Sequence, residues 1–205
     1  TASDKATNDK FGNSVAIDST GTRVAIGANW AAIGGLTYCG AVYIFVRSGT
    51  TWTQEQKIIA ADRLSHDQFG RSVSLDSTGT RVAIGAIAAT ASTSGYTYIW
   101  VRSGTTWTQE AKLLPSDRAV NDYIGNYVVI SSDGSRVCMS AEGSDPDGVT
   151  TAGAVYVFSR SGTTWTQEAK LTALDKGTVD SLGITLSMDS TATRIIAGAI
   201  NNING

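Results

Sequence analysis

The residues of this chain best suited to chemistry are aspartates that recur in pairs. Each pair places two carboxylates five positions apart, at Asp4/Asp9, Asp62/Asp67, Asp117/Asp122 and Asp175/Asp180. Oxygen-rich loops suit a hard cation such as Ca²⁺, so one interpretation is a cation site in each connecting loop. The other is structural: each aspartate caps a turn, and the later one pairs with an arginine at the start of a neighbouring strand. The pattern favours the structural interpretation, with Asp62, Asp67, Asp117, Asp122, Asp175 and Asp180 as the metal candidates.

Residues for covalent or acid–base catalysis are few. The only histidine is His66, in a polar connecting segment, so a nucleophilic mechanism with a histidine base would depend on it. Glu55, Glu110 and Glu168 are equivalent positions of an internal repeat, which favours a structural role. No His/Cys cluster has zinc spacing, and no glycine run follows the phosphate-loop pattern. The sequence assigns no catalytic residue and no cofactor, although glycosidase carboxylates stay open because their geometry is three-dimensional.

Composition restricts the partners. The 205 residues carry a net charge of -2, and no Lys/Arg cluster forms a phosphate-binding stripe, so nucleic acid is not an expected partner. No apolar run approaches the ~20 residues that a membrane helix needs. Two cysteines, Cys39 and Cys138, are too few for a disulfide framework and are expected as buried free thiols. The composition is that of a soluble globular chain.

An internal repeat determines the architecture. The segment that begins at Arg47 returns at Arg102 and Arg160, 55 and 58 residues apart. A second marker, an apolar residue followed by glycine, keeps the same spacing at Phe11, Phe69, Ile124 and Leu182. A fixed period of this length is typical of propellers and other repeat folds.

Each period predicts four short strands. In the first repeat, alternation and turn signals place them at residues 13–18, 23–28, 41–47 and 52–59. Four antiparallel strands per period form one blade of a β-propeller; a stacked β-solenoid is the alternative, but it normally has a shorter period. The sequence therefore predicts one all-β region, residues 1–205, with blades at 9–61, 67–115 and 122–173 and a partial blade at 180–205. We expect these three and a half blades to be part of a longer propeller, for example one of seven blades.

The motif that recurs in each repeat resembles that of a known family. Phe-Gly-x-Ser-Val followed by Val-Ala-Ile-Gly-Ala, in residues 11–15 with 24–28 and in 69–73 with 82–86, is similar to the FG-GAP repeat of integrin α-like propellers. Residues 124–141 and 182–199 contain degenerate copies. The resemblance implies a propeller, usually extracellular, with a recognition or adhesion role.

The family also implies a calcium-binding hairpin between the first and second strands, and this sequence departs from it. The hairpin has one carboxylate in the first repeat, Asp18, and an arginine stands where the second strand begins in all four copies, at Arg23, Arg81, Arg136 and Arg194. A fixed positive charge opposes cation binding by Coulomb repulsion. We expect a tight Asx-type turn there instead of calcium.

A turn followed by tryptophan also repeats, at Trp52, Trp107 and Trp165. It half-resembles the Asp-box of sialidase-like propellers without its aspartate. Since that box is a folding motif, we expect a packed indole that closes each hairpin.

The loops between the second and third strands vary while the strands barely change. Variable loops on a rigid scaffold normally carry binding specificity. The candidate binding residues there and nearby are Asn29, Trp30, Trp100, Glu142, Asp145 and Asp147, of which Trp30 and Trp100 are expected to be exposed and able to stack on sugars. The acidic residues Asp145 and Asp147 are also metal candidates.

These features predict a non-enzymatic recognition module, extracellular or exposed on a cell, filament or virion surface. Its expected partner is a protein or a glycan. The alternative is a structural subunit that packs against copies of itself, and a glycan-processing hydrolase ranks third.

Overall fold

The computed structural model describes residues 2–4, 6–88 and 93–200, which form an all-β propeller arc. Within these residues, fourteen strands make up three complete four-stranded blades and a two-stranded fourth. Blade 1 contains β1 (Phe11–Ile17), β2 (Arg23–Ala28), β3 (Ala41–Ser48) and β4 (Thr51–Ile58). Blade 2 contains β5 (Ser72–Leu75), β6 (Arg81–Ala86), β7 (Tyr96–Ser103) and β8 (Thr106–Leu113).

Blade 3 contains β9 (Val128–Ile130), β10 (Arg136–Ala141), β11 (Ala154–Ser161) and β12 (Thr164–Leu171), and blade 4 contains β13 (Thr185–Met188) and β14 (Ile195–Gly198). All pairs within a blade are antiparallel, in the order of the sequence. The predicted fold class is confirmed, and the strand ends of the first blade lie within two residues of the prediction. The described residues include no helix that is long and apolar enough to cross a membrane.

The blades pack face to face, and the core lies between them. One buried cluster joins Val42, Ile44 and Ile58 of blade 1 to Ile84 and Tyr98 of blade 2, and a second joins blade 2 to blade 3 in the same way. Strands with both faces buried have nearly continuous apolar sequences, and β3 and β7 have such sequences. Trp100 belongs to this core and is 9% exposed, so the prediction of an exposed, sugar-stacking Trp100 is wrong.

The cysteines are both free and buried. Burial raises the pKa of the Cys138 thiol to about 12, which keeps it protonated and unreactive near neutral pH.

Glycine lets the inner strands of adjacent blades touch. A Cβ built on Gly85 of β6 would lie 1.9 Å from the Gly125 carbonyl oxygen of blade 3, and one built on Gly27 would lie 2.1 Å from that of Gly70. The hydroxyl of Ser72 donates to the same Gly125 oxygen at 2.9 Å. Glycine is therefore required at positions 27 and 85, because the backbones of adjacent blades meet there at the first two junctions, whereas Ser140 stands at the equivalent position of β10.

Gly85→Ala should consequently destabilise the protein by about 3 kcal/mol, the upper range for overpacking. Gly104→Ala is the control: a Cβ there meets nothing within 4 Å, so only the cost of a non-glycine residue at positive φ remains, about 1 kcal/mol. Urea denaturation of both variants measures the difference. Equal losses in the two variants would contradict the close approach of the blades.

A repeated ionic contact fastens each blade to the next, and we call it the Glu–Arg–Trp lock. Glu55 of β4 accepts hydrogen bonds from Arg23 of its own blade at 3.1 Å, and from Arg102 (3.2 Å) and the Trp107 indole (2.9 Å) of blade 2. The second lock is the same: Glu110 accepts from Arg81, and from Arg160 and Trp165 of blade 3. The side chains of Glu55 and Glu110 are only 4% and 6% exposed.

The lock corrects two predictions. The strand-two arginines Arg23, Arg81 and Arg136 pair with Glu55, Glu110 and Glu168, not with the later aspartates of the pairs. The repeat tryptophans contact the preceding blade instead of only closing their own hairpins. In blade 1, which has no preceding blade among the described residues, Trp52 is 40% exposed.

Candidate functional site

The antiparallel blades give the arc two chemically different ends. The hairpins between strands one and two and between strands three and four lie at one end. The loops between strands two and three lie at the other, together with the connections between blades; we call this the loop end. Nearly all candidate residues of the sequence belong to the loop end.

At the opposite end, the hairpins satisfy their own polar groups. Asp18 accepts hydrogen bonds from the backbone of Thr22 at 2.8 Å and of Arg23 at 3.1 Å, and from the hydroxyl of Thr20 at 2.9 Å. Burial raises the pKa of Asp18, but these hydrogen bonds outweigh it and lower the pKa below its usual range. Asp76 and Asp189 repeat the arrangement. The carboxylate oxygens of these turns are therefore engaged in Asx-type contacts.

The earlier aspartate binds a lysine in three of the four pairs and, in two of them, also a tyrosine. Asp62 lies 2.7 Å from Lys112 Nζ and accepts a hydrogen bond from Tyr98 Oη at 2.9 Å. Burial raises the pKa of Asp62, but these two contacts outweigh it and lower the pKa. Asp4 with Lys57 and Tyr43, and Asp117 with Lys170, repeat this contact. These three segments are thereby tied to the blade that follows each of them.

The later aspartate of each pair caps a turn. Asp67 accepts the backbone N–H of Leu64 at 2.6 Å, and Asp122 that of Ala119 at 2.7 Å. Both are buried, and desolvation raises their pKa values. Asp180 is also buried and accepts from Gly177, whereas Asp175 is exposed.

The acidic loop of blade 3 is neutralised locally. Asp145 accepts the backbone N–H of Thr151 at 2.6 Å, and Asp147 forms an ion pair with Lys176 at 3.0 Å. Glu142 accepts a hydrogen bond from Asn126 at 2.8 Å, and Asn126 accepts one from Arg71 at 2.7 Å. In residues 2–4, 6–88 and 93–200, no group of three or more His, Cys, Asp or Glu side chains is arranged to hold a metal ion.

These pKa shifts predict how stability depends on pH. Glu55 and Glu110 are buried, which raises their pKa values, but the lock arginines and tryptophans outweigh this and lower them. A lowered pKa in the folded state adds stability above the unfolded value of 4.5, and this stability is lost as the pH falls through the lowered folded value. The raised pKa values of Asp67 and Asp122 act in the opposite sense.

We therefore expect the free energy of unfolding to decrease from pH 5 toward pH 3, and to decrease less in Glu55→Gln than in the wild type. Urea titrations at several pH values measure this. Asp67→Asn is the control and should steepen the decrease, because the opposing contribution is removed. An unchanged pH profile in Glu55→Gln would refute the assignment.

A partly exposed aromatic cluster lies at the loop end of blade 1. It consists of Lys10, Trp30, Tyr38 and His66. The Lys10 ammonium lies 3.1 Å from the centroid of the Trp30 ring, Trp30 lies 5.1 Å from Tyr38, and Tyr38 lies 5.3 Å edge-on from His66. Trp30 is half-buried instead of exposed as predicted, and Lys10 covers one of its faces, whereas Tyr38 is 41% exposed.

Buried neighbours hold the aromatic cluster in place. Asn29 is fully buried and donates to the Gln68 side chain at 3.0 Å, so Asn29 anchors the loop instead of facing a ligand as predicted. The loop closes on itself through backbone hydrogen bonds between Ile33 and Leu36. His66 is fixed by its backbone N–H, which donates to Thr37 at 2.9 Å. The cluster therefore joins the variable loop of blade 1 to the connection into blade 2.

Sequence reasoning found Trp30 but missed Tyr38 and His66. The missed signal is that neither aromatic side chain recurs at the equivalent position of the other repeats: Asn8, Asn121 and Val179 stand where His66 would be. A side chain that differs from its equivalents in all other repeats is not needed for the fold that the repeats share.

The comparisons with known proteins agree with this architecture. A sequence model of the FG-GAP repeat matches residues 1–45, 52–100 and 107–158, which together make up most of the chain. The chain belongs to the FG-GAP repeat family. No curated protein matches the sequence.

Solved structures share the fold of this FG-GAP chain at very low identity. Kuenenia stuttgartiensis hydrazine synthase superimposes with a TM-score of 0.56 at 10% identity, over 96% of this chain and 44% of that one. Saccharomyces cerevisiae Sqt1 superimposes with a TM-score of 0.54 at 9% identity, over 84% and 38%. The FG-GAP chain thus spans less than half the length of either structure, and the likeness concerns the fold alone.

Proposed function

We propose that this FG-GAP chain is a non-enzymatic recognition module, exposed outside the cell, that binds a glycan at its loop end. The observation that carries the proposal is the aromatic cluster. Exposed rings that are fixed by buried anchors bind sugars through the apolar face of the pyranose ring, at little entropic cost. The ring of Tyr38 supplies the stacking surface, and Lys10 and His66 supply polar contacts to hydroxyl or carboxylate groups.

The surroundings of the cluster fit binding better than catalysis. Among the described residues the His66 side chain forms no ion pair with a carboxylate, and the carboxylates of Asp62, Asp117, Asp67 and Asp122 are engaged by lysines or backbone N–H groups. A glycosidase needs a pair of carboxylates that face the scissile bond. The proposal therefore assigns recognition and no reaction.

A glycan array probed with the purified chain tests the proposal. We expect a subset of saccharides to bind, and Tyr38→Ala to weaken their binding by roughly tenfold. Tyr123→Ala is a closely matched control, because Tyr123 is also 41% exposed and, like Tyr38, has positive φ; it should bind within about twofold of the wild type. Equal binding by Tyr38→Ala, absence of any saccharide ligand, or cleavage of the bound glycan would each reject the proposal.

A structural subunit is the second candidate, and one observation favours it. The outward face of blade 1 exposes Phe11 and Trp52 beside Val24, Ile26 and Phe45, around a cavity of about 250 Å³. Exposed apolar patches often mark interfaces. Sedimentation velocity separates the candidates: the recognition proposal expects a species independent of concentration, and the structural one expects oligomers without added ligand.

A further inference from the structure

A cavity lies on the inner surface of the arc, where the first strands of successive blades are side by side. β1 contacts β5, and β5 contacts β9. The cavity between them has a volume of about 400 Å³, within the range of small-molecule sites. Its polar walls are formed by Asn13, Arg71, Asn126 and Tyr127, and no carboxylate of the described residues lines it. We call it the inner cavity; it shares no residue with the aromatic cluster.

Arg71 brings a positive charge to the inner cavity without a counter-ion. Its Nε donates to Asn126 Oδ1 at 2.7 Å, and Asn126, which is only 6% exposed, donates in turn to Glu142 at 2.8 Å. These contacts hold the guanidinium in one orientation. Within the described part of the chain, the Nη1 and Nη2 groups of Arg71 form no hydrogen bond or ion pair. A held guanidinium with both Nη groups unengaged is suited to a carboxylate, which accepts two parallel N–H groups.

Tyr127 departs from the repeat at the same cavity. The preceding blades have Ser14 and Ser72 at this position, and the Ser72 hydroxyl fills the space beside Gly85. In blade 3 a side chain of the second strand fills that space instead, because Ser140 replaces the glycine and its hydroxyl accepts the Tyr127 backbone N–H at 2.9 Å. The Tyr127 side chain is therefore not needed at the junction; it is 37% exposed and lines the inner cavity.

We propose that the inner cavity binds a small hydroxy acid. The two Nη groups of Arg71 donate to the carboxylate of the ligand, and the Tyr127 hydroxyl binds a ligand hydroxyl. Asn13 Nδ2 donates to the Arg71 carbonyl at 3.3 Å, which leaves Asn13 Oδ1 as an acceptor for a second hydroxyl. A cavity that holds one cation and no carboxylate attracts anions, and its polar walls favour a hydroxylated acid over a fatty acid.

Titrations of the whole 205-residue chain, followed by NMR, test the proposal. The probes are D-gluconate and L-lactate, and the matched controls are D-glucitol and L-lactamide, which keep the hydroxyl groups and lack the charge. We expect at least one acid to bind saturably, and its neutral control to bind at least about tenfold more weakly, since the charge-assisted hydrogen bonds to Arg71 are lost. Inorganic phosphate should bind more weakly than that acid.

Substitutions taken from the repeat itself locate the site. Arg71→Asn introduces the residue that blades 1 and 3 carry at this position, Asn13 and Asn126, so the fold should tolerate it. The affinity for the acid should fall by about tenfold or more. Arg47→Asn removes the same charge from an exposed strand end and should leave the affinity within about twofold. Tyr127→Phe keeps the ring and should weaken binding by roughly threefold.

The residues whose NMR signals move distinguish this site from the aromatic cluster. The acid should shift the backbone amides of residues 13–15, 71–73 and 126–128. Shifts confined to residues 29–40 and 62–68 would overturn the proposal. Binding of neither acid, equal binding of the neutral control, tighter binding of phosphate, or unchanged affinity in Arg71→Asn would do the same. If Arg71→Asn does not fold, unchanged affinity in Tyr127→Phe overturns it.

Discussion

Glu55→Ala is expected to lower the free energy of unfolding by about 3–5 kcal/mol, because it leaves the buried Arg23 and the half-buried Arg102 without their counter-ion. Glu55 binds Arg23 and Arg102 and is 4% exposed. The indole N–H of Trp107 loses its acceptor as well. Equilibrium urea denaturation, fitted to two states, measures the loss.

The repeat provides the control for this prediction. Glu168 occupies the equivalent position of blade 3, but it pairs only with Arg136 and is 38% exposed. Solvent-exposed ion pairs contribute little, so Glu168→Ala should cost below about 1 kcal/mol. Similar losses in the two variants would mean that Glu55 stabilises its own blade only, and that the lock does not join blades 1 and 2.

Trp107→Ala is the second substitution with a large expected effect, about 3–5 kcal/mol, since it removes a fully packed indole from the core between blades 1 and 2. Trp107 is 2% exposed. Its backbone also exchanges hydrogen bonds with the Gln56 side chain, at 2.7 and 3.0 Å. Thermal and urea unfolding should both detect the change.

Trp52→Ala is the matched control, with the same residue type at the same repeat position. Trp52 is 40% exposed on the outward face of blade 1, so its removal should cost below about 1 kcal/mol. If Trp52→Ala proved as destabilising as Trp107→Ala, each tryptophan would act within its own hairpin, as the sequence suggested, and not between blades.

The strands and their grouping into blades could be predicted from the sequence, because both depend on local patterns. Alternation in residues 41–47, the turn at residues 48–51 and the glycine of the repeat marker are short-range signals. β2 lies within the predicted bounds, and β1 begins two residues earlier than expected, at Phe11. Because the pattern repeats, the strands predicted for one copy apply to the other copies as well.

The contacts between blades could not be predicted in the same way. Arg23 lies closer in sequence to Asp9 than to Glu55. Antiparallel pairing of the strands nevertheless brings its guanidinium to Glu55. The sequence analysis predicts that Trp100 is exposed, although its equivalents in the other repeats, Phe45 and Phe158, are large and apolar. Aligning the repeats residue by residue would have placed Trp100 in the core.

The aromatic cluster depends on two loops of different blades, and for this reason sequence spacing did not reveal it. Trp30 and Tyr38 share one loop, whereas His66 arrives from the connection into blade 2. Their proximity follows from the lock and from the hydrogen bond between Asn29 and Gln68. The scaffold is common to every blade, and the cluster belongs to one blade junction only, which is why we place the proposed function there.

The measurement that tests this account most directly is hydrogen–deuterium exchange of the 205-residue chain with and without its strongest saccharide from the glycan array. The account predicts protection confined to residues 29–40 and 62–68, around the aromatic cluster. The hairpins at the opposite end, residues 18–23 and 48–51, should exchange as in the free protein. Protection at those hairpins, or an exchange pattern that the saccharide leaves unchanged, would contradict recognition at the loop end.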